Sequence, residues 1–445
     1  ERLLQLLRSN AAVGLMAPTG WGKSYTLAYV AKSIGGKWLW AVPLISIEYT
    51  VSQALKMFGI EHIISAGRER LCSMGFSNLD FRLRNVCMSC SFNRPPDVIN
   101  NIIGSIDFSA IRDIAETNMI CPYLLQEEVI RRKLRRSENI VILLNYKRIQ
   151  KFIKYTNFII VDEAHSLGMP KVTRLPRRVV EVLFHDVLGI DADTRNAEAA
   201  RAILAENLLN LAMSDSDLNV DLNTLIDFID SQFVYYDQTM DELIGVHTEG
   251  LSLPQHVKTI FVSATLPPSI LQGVPTIRVQ PSVALKVRIP RDAIAVTLES
   301  MQRRKEKVAE LLRRYLLDST IIFTTSSKDV TAILDTENLI TEDEVGVNVC
   351  EKPPPILVLN FYGKFSEGAR LTCFKRAILL TVPLLPRDIM QRLRIKEEDL
   401  ITVKTVQVIG RLLPQPEEPD IIMLDRRYWQ YCQYLQQYGI QCVED

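Results

Sequence analysis

Ala17-Pro18-Thr19-Gly20-Trp21-Gly22-Lys23-Ser24 is the stretch on which the reading of this chain turns. It follows an apolar run, Ala11 to Met16, and leads into a helix-like segment, Ser24 to Ser33. The order is strand, tight glycine turn, helix N-terminus. The amides of such a turn point into one concave space, and the helix dipole adds partial positive charge there. Lys23 is placed to reach the β- and γ-phosphates of ATP, and the Ser24 hydroxyl to ligate Mg²⁺. The stretch satisfies the phosphate-loop (Walker A) pattern, with Ala17 in the first glycine position. All eight residues are candidates for binding ATP.

A nucleotide loop of this kind needs an acidic partner further along. Phe158 to Val161 reads as a buried strand ending in Asp162-Glu163-Ala164-His165, a DEAH box. A carboxylate at the C-terminal edge of a strand faces the crevice where ligands sit in open α/β sheets. Asp162 would hold Mg²⁺, and Glu163 would orient and deprotonate an attacking water. His165 would link this site to other elements. Lys258 to Val262 is a later strand, followed by Ser263-Ala264-Thr265-Leu266, whose Ser263 and Thr265 hydroxyls suit a relay that senses phosphate loss.

Around these motifs the chain follows the βα alternation of parallel sheets. Lys37 to Pro43 and Ile140 to Leu144 are further strands of the first sheet, and Trp38 and Trp40 read as core. A second α/β unit begins near residue 286. Met301 to Leu317 is helical, and Thr320 to Phe323, Ile356 to Asn360 and Ala377 to Val382 are strands. Gln407-Val408-Ile409-Gly410-Arg411 opens a helix, and Ile421 to Leu424 is the last strand. Asp425 to Tyr438 closes the chain as a helix. Residues 169–255 read as mostly helical and show no chemistry. The basic run Arg131 to Arg136, and Arg174, Arg177 and Arg178, read first as solvated faces, with contact to a nucleic-acid backbone as the alternative.

At 445 residues the chain is too long for one ordinary core. With 52 basic and 52 acidic residues it carries no net charge, so contact with nucleic acid must come from local patches. No apolar run is long enough to cross a bilayer, and no signal peptide is visible. The chain opens at Glu1 rather than Met, which reads as a trimmed N-terminus.

Eight cysteines in a chain this long do not suggest a secreted disulfide scaffold. Cys350, Cys373, Cys432 and Cys442 are scattered and read as isolated small residues. Cys72, Cys87, Cys90 and Cys121 cluster in an irregular, arginine-containing segment. The two-residue gap from Cys87 to Cys90 lets two thiolates grip one metal centre, and Pro122 follows the last cysteine as it does in many iron–sulfur runs. An iron–sulfur cluster, a structural Zn²⁺ and unligated cysteines all remain readings of that spacing.

With these motifs in order, the chain resembles a superfamily 2 helicase of the XPD/DinG iron–sulfur branch, most like a compact archaeal XPD. APTGWGKS (17–24), the four-cysteine insert ending in CPY (121–123), DEAH (162–165), SATL (263–266), GKFSEG (363–368) and QVIGR (407–411) carry the resemblance. They run from end to end. It implies an α/β fold of two RecA-like parallel-sheet lobes. The first lobe would comprise 1–70, 122–168 and 256–285, with an iron–sulfur insert at 71–121 and a helical Arch-like insert at 169–255. The second lobe would be 286–445.

The resemblance further implies an ATP-dependent DNA helicase moving 5′ to 3′ on a single strand, in nucleotide excision repair or related DNA processing. Its cofactors would be ATP, Mg²⁺ and a 4Fe–4S cluster held by Cys72, Cys87, Cys90 and Cys121. Gln407 and Arg411 would reach the γ-phosphate from the second lobe, and Glu367 would take part in coupling. Single-stranded DNA, forked or overhang duplexes and repair proteins are the implied partners, with no membrane. The implied location is cytoplasmic, or nuclear in a eukaryote.

Two positions depart from the family pattern. Pro414 stands where a second arginine is usual, and Arg370 where an acidic residue is usual. Loss of one transition-state arginine costs on the order of 10³-fold or more. An alternative reading is therefore a nucleotide-gated protein that binds or clamps DNA with weak or no unwinding. An iron–sulfur nuclease has little support, because no carboxylate and histidine cluster stands outside the motor motifs.

Overall fold

The computed structural model describes residues 1–43, 45–72, 87, 90–92, 108–213, 222–238, 240–248, 250–251, 253–254, 256–267, 272–281, 284–334, 338–342, 344–345, 349–363, 365, 371–413 and 418–445. The chain divides into two compact units. The first is Glu1–Ala11, Ser24–Asp162 and Pro170–Ile260; the second is Ala12–Lys23, Glu163–Met169 and Phe261–Asp445.

Seventeen strands follow in chain order among the described residues. They open with β1 (Ala12–Met16), β2 (Lys37–Val42), β3 (His62–Ile64), β4 (Ile140–Asn145) and β5 (Phe158–Asp162). Next come β6 (Pro170–Pro176), β7 (Phe233–Asp237), β8 (Glu242–Thr248), β9 (Lys258–Ser263) and β10 (Thr276–Arg278). The rest are β11 (Leu285–Ile289), β12 (Thr320–Thr324), β13 (Leu339–Thr341), β14 (Ile356–Asn360), β15 (Arg376–Leu379), β16 (Asp420–Met423) and β17 (Ile440–Glu444). One seven-stranded sheet has the order β10-β1-β9-β5-β2-β4-β3, and a second has β13-β14-β12-β15-β16-β11-β17. Every described pairing in both is parallel. These are two RecA-like sheets.

In the first unit, β2 is an interior strand, flanked by β4 and β5 in register. A strand covered on both faces reads as a continuous apolar run rather than an alternation. Trp38 to Val42 are buried without exception, and Trp38 stacks on Phe158 with ring centroids 4.3 Å apart.

The second unit shows the period of two directly. Ile321, Phe323, Leu357, Leu359, Ala377 and Leu379 point into one core, and the interleaved Ile322, Val358 and Ile378 into another on the opposite face. At the N-terminal ends of β15 and β16, the Asp420 carboxylate receives Arg376 at 2.6 Å and Arg288 of β11 at 2.7 Å.

Four expectations are corrected. The described residues of 169–255 are not helical alone but include a three-stranded sheet. The helices Ala197–Met213 and Leu222–Ile229 pack beside an antiparallel sheet, β6-β8-β7. Its residues Leu243 to Val246 are all buried, so the alternation that marks a strand is absent there. Gln407 to Arg411 does not open a helix but ends one, Glu397–Arg411, whose acidic first turn Glu397-Glu398-Asp399 is the usual partner of a helix N-terminus. Strand β16 is not the last, because β17 returns to pair with β11. Finally, Cys350–Cys373 and Cys432–Cys442 are disulfides. Cys432 opens the helix Cys432–Gln436, and the turn after it brings Cys442 of β17 back alongside. That reversal, not the spacing, makes the pair.

A closed loop of about ten residues removes roughly 2–3 kcal/mol of chain entropy from the unfolded state. The Cys432→Ser, Cys442→Ser double variant should therefore melt about 5–10 °C lower than the oxidised wild type. Calorimetry showing equal midpoints would count against this role for the bond.

Candidate functional site

The second unit holds the loop Ala17–Lys23. Gly20 and Gly22 have φ of +81° and +92°, and at Gly22 a side chain would meet nothing within 4 Å. Glycine is required there by backbone conformation, not by space. Lys23 opens the helix Lys23–Ile34, and its ammonium turns back onto the carbonyls of Ala17 (3.2 Å) and Pro18 (3.3 Å). The amide of Ala17 donates to the carbonyl of Ser263, which fastens the start of the loop to the end of β9.

His165 is the meeting point of this unit's polar side chains. Its Nδ1 lies 2.9 Å from Ser263 Oγ, 3.1 Å from Gln407 Nε2 and 3.3 Å from Glu163 Oε2. Gln407 Nε2 also donates to Thr265 Oγ1 at 3.0 Å, and the Thr265 amide to Ser263 Oγ at 3.2 Å. His165, Ser263, Thr265 and Gln407 are all buried. Buried polar groups are stable only when each has partners, and here five residues from three distant stretches satisfy one another. The Gln407 amide is engaged with His165 and Thr265.

Glu163 follows β5 with φ +50° and ψ +41°, a left-handed conformation uncommon outside glycine. Such strain costs about 1–3 kcal/mol and persists where the surroundings over-determine it. Burial pushes the Glu163 carboxyl up. The hydrogen bond and charge of His165, with the positive charges of Lys23 and Arg411, outweigh that and hold it well below the usual carboxylate range. The charges of Lys23 and Arg411 act on the same carboxylate although the two residues lie far apart in sequence.

In the first unit, Asp162 ends β5 buried. Its Oδ2 accepts from Trp40 Nε1 at 3.2 Å, and its carbonyl accepts from the Tyr146 hydroxyl. Ser24 is the second residue of its helix. The sequence reading missed both donors to Asp162. Trp40 reads as core from the sequence alone, yet an indole N–H on the strand beside β5 needs a buried acceptor.

The first three basic residues of the run on the helix Pro122–Arg136 are paired with carboxylates. Arg131 contacts Glu127 at 3.1 Å, Arg132 contacts Glu128 at 2.9 Å, and Lys133 contacts Glu61 at 2.7 Å.

Cys72, Cys87, Cys90 and Cys121 are free thiols, none fully buried. Arg68 Nη1 donates to Cys87 Sγ at 3.1 Å, and its guanidinium lies 4.3 Å from the Tyr123 ring centre. Cys121 caps the helix Pro122–Arg136. Burial pushes its thiol up, while the amides of Leu124 and Tyr123 and the charge of Arg68 pull the other way. Among the described residues, no three His, Cys, Asp or Glu side chains converge closely enough to hold a metal ion. Most of the insert that the four cysteines bracket lies outside those residues. So do Lys364, Ser366, Glu367 and Gly368 of the GKFSEG motif, and the departures Arg370 and Pro414. No helix among the described residues is long and apolar enough to cross a membrane.

A carboxylate held down in the folded state adds stability that is complete above its unfolded pKa and disappears as pH falls through its folded one. The wild type should therefore gain melting temperature over Glu163→Gln as pH rises from about 3 to about 6. A difference between the two that stays constant over this range would show that the Glu163 charge is not so held.

No protein-family model matches the chain, and no curated protein does. Solved structures do. An XPD helicase superposes with a TM-score of 0.70 at 15% identity, covering 100% of this chain and 98% of that one. XPD in its apo form gives 0.60 at 14% identity, covering 100% and 99%. Xpd4 of S. tokodaii gives 0.55 at 14% identity, covering 99% and 98%. This chain, end to end, has the fold of the XPD helicases.

Proposed function

We propose that the protein is an ATP-driven helicase that moves along single-stranded DNA. The observation that carries this reading is the buried set in which His165 meets Glu163, Ser263 and Gln407, and Gln407 ties it to Thr265, with the charges of Lys23 and Arg411 acting on Glu163. A γ-phosphate needs cations around it, a carboxylate to orient water and a link from that carboxylate to a moving element. In this reading Gly20 to Ser24 cradle the phosphates. Ser24 and Asp162 hold Mg²⁺, which offsets phosphate charge. Glu163 orients and deprotonates the attacking water. Arg411 faces the transferred phosphoryl group. Loss of that group removes a partner of Arg411 and loosens the set gathered at His165. Ser263 and Thr265 pass that change to β9.

Translocation suits backbone contacts, because a motor must be indifferent to sequence. The 5′-to-3′ direction, preference for forked or overhang duplexes, and a place in DNA repair belong to this proposal by analogy of fold alone. The domain boundaries set out above are part of it too.

Cys72, Cys87, Cys90 and Cys121 would hold a 4Fe–4S cluster. Their support is chemical: all four are free thiols while the other four cysteines are paired, and Arg68 and the helix start at Cys121 supply positive charge beside them. The cluster would serve as a rigid cross-link of the insert.

The second reading, a nucleotide-gated clamp, is favoured by Pro414 in the position of a second arginine. Strand displacement separates the two. A helicase opens a 5′-overhang duplex with ATP, whereas a clamp binds it tightly and leaves it closed.

ATP hydrolysis should rise at least several-fold with single-stranded DNA, and fall by about 10²-fold or more in Lys23→Ala and Glu163→Gln. Equal rates with and without DNA would exclude a motor. Protein purified without oxygen should contain about four irons per chain, lost in Cys87→Ser. Stoichiometric zinc without iron would replace the cluster with a structural metal site.

A further inference from the structure

Beside the loop Ala17–Lys23, within the second unit, lies a recess of about 110 Å³ that the motor chemistry above does not use. Its walls come from four places. Ala17, Pro18 and Thr19 form one side; Arg278 at the end of β10 and the residues up to Pro281 form another. The helix Glu397–Arg411 and the residues after it contribute Val406, Gly410 and Leu413, and the turn before β17 contributes Tyr438 and Gly439.

Two close approaches fix these walls. A Cβ at Gly410 would lie 2.9 Å from Thr19 Oγ1, so the helix packs directly against the loop and a side chain there would make the Thr19 hydroxyl shift. Gly439 has φ +77°, and a Cβ on it would lie 2.5 Å from Pro281 Cγ. The recess is therefore a built feature and not a packing gap.

Its lining is mainly apolar, with one aromatic ring and one guanidinium. Burial pushes the Tyr438 hydroxyl up and the charge of Arg278 opposes it, so the two groups act on one another. A flat, mostly apolar ring with a polar edge matches such a surface: it can stack on Tyr438 and meet the Arg278 guanidinium. A dry cavity of about 150 Å³ holds benzene, and this recess is open to solvent, so a larger ring need not be fully enclosed.

We propose that the recess receives the base of the nucleotide, with Tyr438 and Arg278 as its recognition surfaces. The inference rests on the phosphate-binding role given to the loop above. A nucleotide whose phosphates lie over Gly20–Lys23 reaches the recess past Thr19. Its base then touches the helix that carries Gln407 and Arg411, on the adjacent face, where Val406 and Gly410 stand at i and i+4. Base occupancy and the Arg411 position are thereby joined through one rigid element. The amide side chains at the rim, Gln280 and Gln437, are exposed, and each can both donate and accept. The site therefore reads the size of the ring more than its edge, and takes purines of either kind.

The test compares Mg²⁺ complexes of ATP, GTP, CTP and inorganic tripolyphosphate by calorimetric titration of the full chain. ATP and GTP should bind within a few-fold of each other and about tenfold or more tighter than tripolyphosphate, with CTP between. Tyr438→Ala and Arg278→Ala should each shrink the ATP-to-tripolyphosphate ratio about tenfold, and Tyr438→Phe, which keeps the ring, should preserve it. Arg278 is exposed at the end of its strand, so its variant tests the surface even if Tyr438→Ala does not fold. A ratio unchanged in both alanine variants would overturn the base site while leaving phosphate binding intact. A wild type that binds neither ATP nor tripolyphosphate would overturn the phosphate reading itself, and this inference with it.

Discussion

One imidazole nitrogen organises the second unit. His165 Nδ1 sits within 3.3 Å of Ser263, Gln407 and Glu163. The ring is buried, so each neighbour must be held where it can be satisfied. That requirement sets the end of β9, which carries Ser263 and lies two residues before Thr265. It sets the rotation of the helix Glu397–Arg411, whose Gln407 points at His165 and Thr265 and whose Arg411 acts on Glu163 one turn later. It also explains the left-handed backbone at Glu163, which turns its carboxylate toward the imidazole instead of continuing the strand. The ends of β9 and β5 and one helix end are thereby brought within reach of a single atom.

The parts of this arrangement differ in how openly the residues announce them. Ala17 to Ser24 declares itself, because two glycines, a lysine and a hydroxyl at fixed offsets have few structural uses other than wrapping phosphate. Asp162 and Glu163 declare themselves by ending an apolar run. The strands of both sheets are legible wherever burial on two faces makes a continuous apolar segment, as in Trp38 to Val42. The antiparallel β6-β8-β7 sheet is hidden by the same rule in reverse, since consecutive buried residues in β8 give no alternation to read. The polarity of the helix around Gln407 is not legible because its acidic first turn lies ten residues upstream and carries no motif.

What depends on tertiary approach stays silent in the linear chain. Trp40 looks like core until β5 brings Asp162 beside its indole. Gly410 looks like one more glycine until Thr19 lies against it. Cys432 and Cys442 belong to no pattern, and only the return of β17 along β11 makes them neighbours.

The two sets of cysteines ask opposite things of their surroundings. An oxidant must reach the C-terminal half to close Cys350–Cys373 and Cys432–Cys442, yet the thiols at 72, 87, 90 and 121 survive only if that oxidant spares them. Burial around Cys121 slows its loss, since a protonated sulfur is a poor nucleophile. Biogenesis and laboratory handling thus share one scheduling problem. Reductant added to protect the N-terminal thiols will unlock the clasp on the final strand, and air admitted to restore the clasp will attack the thiols. A single redox buffer suits the molecule only inside the window where both ends hold at once.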